Sequence, residues 1–395
     1  TRVRAVELLL VQIPLVRPFR TSFGEVDRKE CILVRVETDD AEGWGECVAE
    51  RRPDFSAEFN EGAWLVLRDF LVPALFAVED PEIRDVEPAL AEVRGHQMAK
   101  AALIDAFVDA SLRAQAMSLA SWLGAARDRV PCGVSVGITP TTEALLDQVD
   151  GYLGEGYRRI KLKIEPGTDL ERVRAVRAAH PGILLSVDAN AAYALDDADV
   201  FRALDDADLL MVEQPLHHED LAQHARLQAM IRTDLCLDES IRSAADAEAA
   251  LDLGACRIVN IKQGRVGGAL EAKRVHDRCA ARGAPVWCGG MLETGVGRAL
   301  NLALAALPGF TLPGDTSASS RYFHEDLTEP FEMAPDGTMA VPPGPGIGVT
   351  PRPDRLATCT TRRELMTDGR PGGGERVTKT RPQVDGSRGG PYGSR

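Results

Sequence analysis

The sequence predicts an α/β fold in which a closed parallel barrel follows an α+β segment, and three features predict it. Eight short apolar runs alternate with amphipathic, charge-rich stretches from Cys132 to Leu312: CGVSVGI, RRIKLKI, ILLSVDA, DLLMVEQ, DLCLDES, RIVNIK, APVWCGG and GFTLPGD. Such alternation implies βα units and a parallel sheet, and seven or eight successive units favour a barrel over an open sheet. Residues 1–125 follow another pattern, with strand-like runs at RVRAVELLLVQI, CILVRVET and GWGECVA and helix-like segments over 57–71 and 98–116. Residues 321–358, which include VPPGPGIGV, are too Pro- and Gly-rich for another βα unit and are expected to return to the N-terminal segment.

Each barrel unit is punctuated where helices must stop. Gly154, Pro181, Gly254 and Gly283 stand near the ends of the amphipathic stretches, as termination before the next strand requires. The expected division is therefore 1–125, a barrel over 126–320, a returning segment over 321–358 and a tail over 359–395. The tail is Gly-, Arg- and Thr-rich with few apolar residues, so it is expected to be disordered. Its single aromatic, Tyr392, favours a flexible extension over an RNA-binding arm.

Composition removes several function classes. A chain of 395 residues can bury a large core, and no apolar run is long enough to span a bilayer. The N-terminal TRVRAVELLLVQIPL reads as a strand and not as a signal segment, so a cytoplasmic protein is expected. The formal charge of −14 argues against nonspecific nucleic-acid binding, which requires a basic surface. Eight cysteines lack CxxC spacing and read as buried thiols, and the His217-His218 pair lacks the partners that a zinc site needs.

The candidate chemistry lies in a recurrence. Lys163, Asp188, Glu213, Asp238 and Lys262 are separated by 25, 25, 25 and 24 residues, one βα unit each, and every one falls at or near the carboxyl end of a strand candidate. That end is where side chains from different barrel strands converge. Taken singly, an acid there is equally a helix cap, and Asp238 in LDES is the clearest case. Three carboxylates flanked by lysines on both sides make better sense around a hard divalent cation, and small octahedral oxygen coordination matches Mg²⁺. Asp188, Glu213 and Asp238 are the expected ligands. A cation bound to a substrate carboxylate would acidify its α-proton. Lys161 and Lys163 alternate onto one strand face, and Lys262 enters from four strands away, so bases stand ready for two faces of one carbon. Mutual repulsion and the cation are expected to lower the pKa of Lys161 or Lys163 toward neutrality.

The series KLK, VDAN, VEQP, LDES and NIK resembles the muconate-lactonizing-enzyme subgroup of the enolase superfamily. PFRTSFGE, NIKQGRVGG, WCGGMLETGVGRALNLALAALPGFTLPGDTSASSRYF and PPGPGIGV are similar to its o-succinylbenzoate synthase/N-succinylamino acid racemase group, over residues 3–355. The resemblance implies a modified TIM-type (β/α)7β-like barrel with an α+β capping domain that C-terminal residues complete. It implies Lys163 and Lys262 as an acid/base pair, Lys161 at the substrate carboxylate, Mg²⁺ (with Mn²⁺ or Co²⁺ as substitutes) on the three acids, and a homo-oligomer. Ser135, Asn190, Gly290 and Met291 are similar to substrate-pocket positions, and Arg265 to an arginine associated with racemisation. Phe19 and Phe23 match a mobile capping loop; without the likeness they are equally interdomain packing. Lys262-Gln263-Gly264 departs from the group's KPG-like pattern, and the tail is not a group feature.

Two reactions on a small-molecule carboxylate share this residue set: dehydration to o-succinylbenzoate, in menaquinone synthesis, and N-succinylamino acid racemisation. A dipeptide epimerase or muconate-type cycloisomerase would use it too, although GDTSAS lacks the Asp-x-Asp that the resemblance implies for an epimerase. A catalytically inactive barrel is the non-enzyme alternative, and no lysine or acid is missing to support it.

Overall fold

The computed structural model describes residues 1–22 and 24–369. Phe23 and the tail from 370 onward lie outside the described residues, and so do the expectations placed on them.

The N-terminal segment opens with a long hairpin, β1 (Val3–Thr21) and β2 (Gly24–Thr38), followed by β3 (Glu42–Cys47). The strands pair antiparallel in order, with Val6 opposite Val36 and Val34 opposite Gly45. Helix Gln97–Ala114 lies against this sheet. Its approach depends on two glycines of EGWGEC: a Cβ on Gly45 would stand 2.0 Å from the Ala102 carbonyl oxygen, and one on Gly43 would stand 2.1 Å from the Ala110 nitrogen.

Strand β4 (Arg129–Pro131) precedes the barrel and pairs with β12 (Thr338–Ala340). The barrel sheet has seven parallel strands: β5 (Gly133–Val136), β6 (Arg159–Lys163), β7 (Leu184–Asp188), β8 (Val212–Glu213), β9 (Leu235–Leu237), β10 (Ile258–Ile261) and β11 (Val286–Cys288). Their sequential order matches the first seven apolar runs. The eighth run forms no regular strand. Phe310 bridges to Val286 and Gly314 to Cys132, so this segment joins the two edges of the sheet. Met211, Cys236, Ile258 and Trp287 form a small apolar cluster of their own, on the same strand faces as the site residues above them. Gly154 lies inside helix Thr142–Glu155, and the left-handed cap is Gly156 (φ 100°).

The C-terminal expectation needs one correction. Helix Pro353–Cys359 leads into β13 (Thr360–Thr367), which pairs antiparallel with β1 from Val11 to Ala5, so the first part of the expected disordered tail is a strand. TTRRELMT buries little apolar area. Its ordering is compensated instead by a ladder on the edge of β1 and by polar contacts: Arg362 stacks 4.1 Å over the Trp64 ring, Trp64 donates to Glu364, and Arg363 pairs with Glu7. All eight cysteines are unpaired and buried. Among the described residues no helix is long and apolar enough to cross a membrane.

Candidate active site

The five recurring residues meet at one end of the barrel because each closes or follows its strand. Lys163, Asp188 and Glu213 end β6, β7 and β8; Asp238 and Lys262 follow β9 and β10 directly. Register places Lys163 beside Asp188 and Asp188 beside Glu213. All three carboxylates are buried.

Each ammonium group rests on carboxylates. Lys163 Nζ donates to Asp188 Oδ2 at 2.7 Å and to Asn190 Oδ1 at 2.6 Å. Lys262 Nζ donates to Asp238 Oδ2 at 2.7 Å, lies 3.6 Å from Met291 Sδ, and sits 4.6 Å from the centre of the Phe55 ring. Lys161 Nζ touches Glu213 Oε2 (2.8 Å), Asp315 Oδ2 (2.9 Å) and Asp188 Oδ2 (3.1 Å). Among the described residues no three acidic, imidazole or thiol groups close on one point. The donor set nevertheless fits a hard divalent cation: three buried carboxylates on consecutive strands, each hydrogen-bonded to a lysine that lines a cavity.

At Lys161 the neighbouring acids work against the expected lowering. Burial pulls the Lys161 ammonium down, but Asp315, Glu213 and Asp188 outweigh it and hold its pKa well above the ordinary lysine value. Burial likewise opposes charge on Lys262, and Asp238 overcomes it, so its pKa is raised. Burial also opposes ionisation of Asp188, yet Lys163 and Lys161 hold its carboxyl well below the usual range. Glu213 is pushed up to about 8 by burial first and by the Asp188 charge next. Glu239 is pushed up to about 7 by burial, with Asp238 and Asp188 adding to it.

The three lysines open on a cavity of about 470 Å³ between capping segment and barrel. Lys161, Lys163, Lys262, Ser135, Asn190, Gly290, Met291 and Phe19 all line it. Phe19 packs edge-on against Tyr322, with ring centres 6.5 Å apart. Arg265 does not line it. Expected at the substrate, Arg265 is buried behind Asp238, with Nε on the Ile241 carbonyl and Nη2 on the Asn260 carbonyl, both at 2.7 Å, and Nη1 on Asp238 Oδ1. It braces an acid and is not a surface arginine.

Sequence reasoning missed several groups. Glu239 accepts from Asn190 Nδ2 at 2.9 Å, Asn260 Nδ2 donates to Glu213 Oε1 at 2.6 Å, and Asp315 bridges Lys161 and Arg159. The capping strand β2 contributes Lys29, whose ammonium donates to the Met291 carbonyl at 2.8 Å. Glu46 of β3 accepts from the Thr294 and Gly297 amides at the start of helix Gly295–Ala305. One signal for Asp315 was available: it stands 25 residues after Gly290, the same interval as the recurrence. Strain also marks the site, since Asn190, Ala191, Gln214 and Leu292 adopt positive φ without being glycine.

Comparison with known proteins agrees with this architecture. Residues 4–124 match the mandelate racemase/muconate lactonizing enzyme N-terminal domain, and residues 144–355 match the enolase C-terminal domain-like family. The chain is 58% identical over 361 residues to an N-succinylamino acid racemase of Amycolatopsis, covering 91% of this chain and 98% of that one. It is 50% identical over 339 residues to an o-succinylbenzoate synthase of Geobacillus stearothermophilus, covering 86% and 90%. A solved enolase-superfamily protein from Listeria innocua superposes with a TM-score of 0.89 at 39% identity, covering 93% of this chain and 99% of that one. With two domains matched in order, capping segment first and barrel second, the chain belongs to the mandelate racemase/muconate lactonizing enzyme family of the enolase superfamily.

Proposed function

We propose that the protein removes the proton α to a carboxylate, acting as an o-succinylbenzoate synthase, an N-succinylamino acid racemase, or both. The observation that carries this reading is the placement of Lys163 and Lys262. They stand four strands apart, each parked on its own carboxylate, and both line one cavity. Lys163 takes the α-proton and leaves an enediolate. In racemisation the Lys262 ammonium returns a proton to the opposite face; in dehydration the Lys163 ammonium protonates the departing hydroxide. Lys161 holds the substrate carboxylate, and Phe19 helps exclude water. Ser135, Asn190, Gly290 and Met291 shape the pocket.

Asp188, Glu213 and Asp238 would hold Mg²⁺, or Mn²⁺ or Co²⁺ in its place, supplying positive charge where the enediolate accumulates negative charge. The charge balance supports this. The hydrogen-bonded cluster has five cationic side chains (Arg159, Lys161, Lys163, Lys262, Arg265) and five carboxylates (Asp188, Glu213, Asp238, Glu239, Asp315). Beside a bound divalent cation, Glu213 and Glu239 would be drawn into their charged forms. With all five carboxylates ionised, the cation, one substrate carboxylate and one neutral lysine leave positive and negative charges matched, so a lysine can serve as base without stranding charge. Eight unpaired thiols fit a reducing compartment, and we place the protein in the cytoplasm as a homo-oligomer.

The test is proton NMR of N-succinyl-phenylalanine in D₂O with Mg²⁺, read together with optical rotation. Loss of the α-proton signal with racemisation is expected, and both should stop when the cation is chelated. Absence of both changes with this substrate, together with no dehydration of the hydroxycyclohexadiene carboxylate, would defeat the proposal.

A further inference from the structure

Strand β6 presents Arg159, Lys161 and Lys163 on one face, and two acids interleave with them: Asp188 between Lys161 and Lys163, Asp315 between Arg159 and Lys161. Asp315 is firmly placed. Its own amide donates to the Cys288 carbonyl at 2.8 Å, and the Gly314 carbonyl accepts from the Gly133 amide at 2.6 Å. Its Oδ1 accepts from Arg159 Nη2 at 2.7 Å while Oδ2 meets Lys161 Nζ at 2.9 Å. Arg159 is itself fixed, fully buried, donating to the Pro313 carbonyl and stacked 4.9 Å over the Trp287 ring. Lys161 Nζ sits 4.7 Å over the same ring.

An ammonium group has three donors. Two of the three acids that Lys161 touches are those that would turn toward a divalent cation, and Asp315 is the one that would stay. A lysine on a four-carbon stem without a fixed partner samples several rotamers. We propose that Asp315, anchored by Arg159, is the positioning residue that aims the Lys161 ammonium at the substrate carboxylate. The inference rests on the α-proton abstraction reading above and adds to it a residue from the irregular eighth segment of the barrel.

The test is a double-mutant cycle on substrate binding, in a Lys163→Ala background that cannot racemise. Calorimetry with N-succinyl-phenylalanine and Mg²⁺ compares Asp315→Asn, Lys161→Met and the two combined. Each single substitution should weaken Kd about tenfold, the scale of one charge-assisted hydrogen bond. The combined variant should be within about twofold of Lys161→Met alone, because Asp315 acts through Lys161. A purely structural Asp315 would give losses that multiply, and that result, or unchanged binding in Asp315→Asn, overturns the proposal. Should Asp315→Asn fail to fold by circular dichroism, Arg159→Lys is run through the same cycle with the same criterion. Wild-type protein is assayed in parallel. If it neither exchanges the α-proton nor binds the substrate, the functional reading fails and takes this inference with it; if it does both, the cycle judges Asp315 alone.

Discussion

At the scale of single residues, the site works because burial makes every charge depend on a neighbour. Removing one partner strands the other, so Asp238→Asn should cost far more than a lost contact. It leaves Lys262 and Arg265 without their shared acid, and the expected outcome is a fall in exchange rate of about 10²-fold or more, measured by NMR with stability followed separately by calorimetry. A second residue-scale prediction concerns Asp105, buried in helix Gln97–Ala114. Burial raises its carboxyl to about 7, with Glu87 and Asp109 adding to the effect, and its Oδ2 has no hydrogen-bond partner. Its unfolded pKa is about 3.9, so the folded state holds the proton more tightly. This contribution to stability is present below about pH 4 and lost as pH rises through about 7. Asp105→Asn retains an acceptor for the Ala269 amide and should be more stable than wild type at pH 8, on the order of 2–4 kcal/mol, while differing little at pH 4. Parallel pH slopes in denaturant titrations would contradict it.

The catalytic and ligand candidates were legible in the sequence because a barrel repeats, and a repeat of 25 residues converts spacing into proximity. What was not legible follows the same logic. Arg265 lies on the short helical turn Gln263–Val266, which swings its side chain back beneath Asp238, whereas the family likeness implied a place at the substrate. Asp315 closes the eighth run, GFTLPGD, but stands outside the Lys163-to-Lys262 recurrence, 53 residues beyond its last member, in the one barrel segment that is not a regular strand. Lysine pKa directions depend on which acid each side chain reaches, and that is a property of rotamers.

At the scale of elements, apolar runs revealed β5–β11 because each is buried on both faces, whereas β13 was missed because its stability comes from an edge ladder. Deleting residues 360–395 should therefore lower the thermal midpoint and expose the edge of β1 while leaving the barrel folded; near-ultraviolet circular dichroism and hydrogen exchange across Val3–Val11 would report it. The capping sheet is equally sensitive at β3. Gly45→Ala places a methyl 2.0 Å from the Ala102 carbonyl oxygen. The helix must shift, and a loss of about 1–3 kcal/mol is expected from overpacking. A variant as stable as wild type would show that the helix yields freely.

At the scale of the whole molecule, function comes from two bodies pressed on one cavity. The barrel supplies acids and lysines, while the capping segment supplies Phe19, Lys29 and Phe55 and locks onto the barrel through Glu46 at a helix start. Placing Lys163 and Lys262 on opposite sides of that cavity makes the two faces of the substrate carbon separable by mutation. The most direct measurement is α-proton exchange in D₂O with single enantiomers of N-succinyl-phenylalanine, comparing Lys163→Ala and Lys262→Ala. The two-lysine account predicts that each variant still exchanges the proton of one enantiomer, a different one in each case, while racemisation falls by about 10³-fold or more in both. If either variant exchanges both enantiomers at the wild-type rate, or both lose exchange of the same enantiomer alone, the two lysines do not face opposite sides of the carbon and the central claim is wrong.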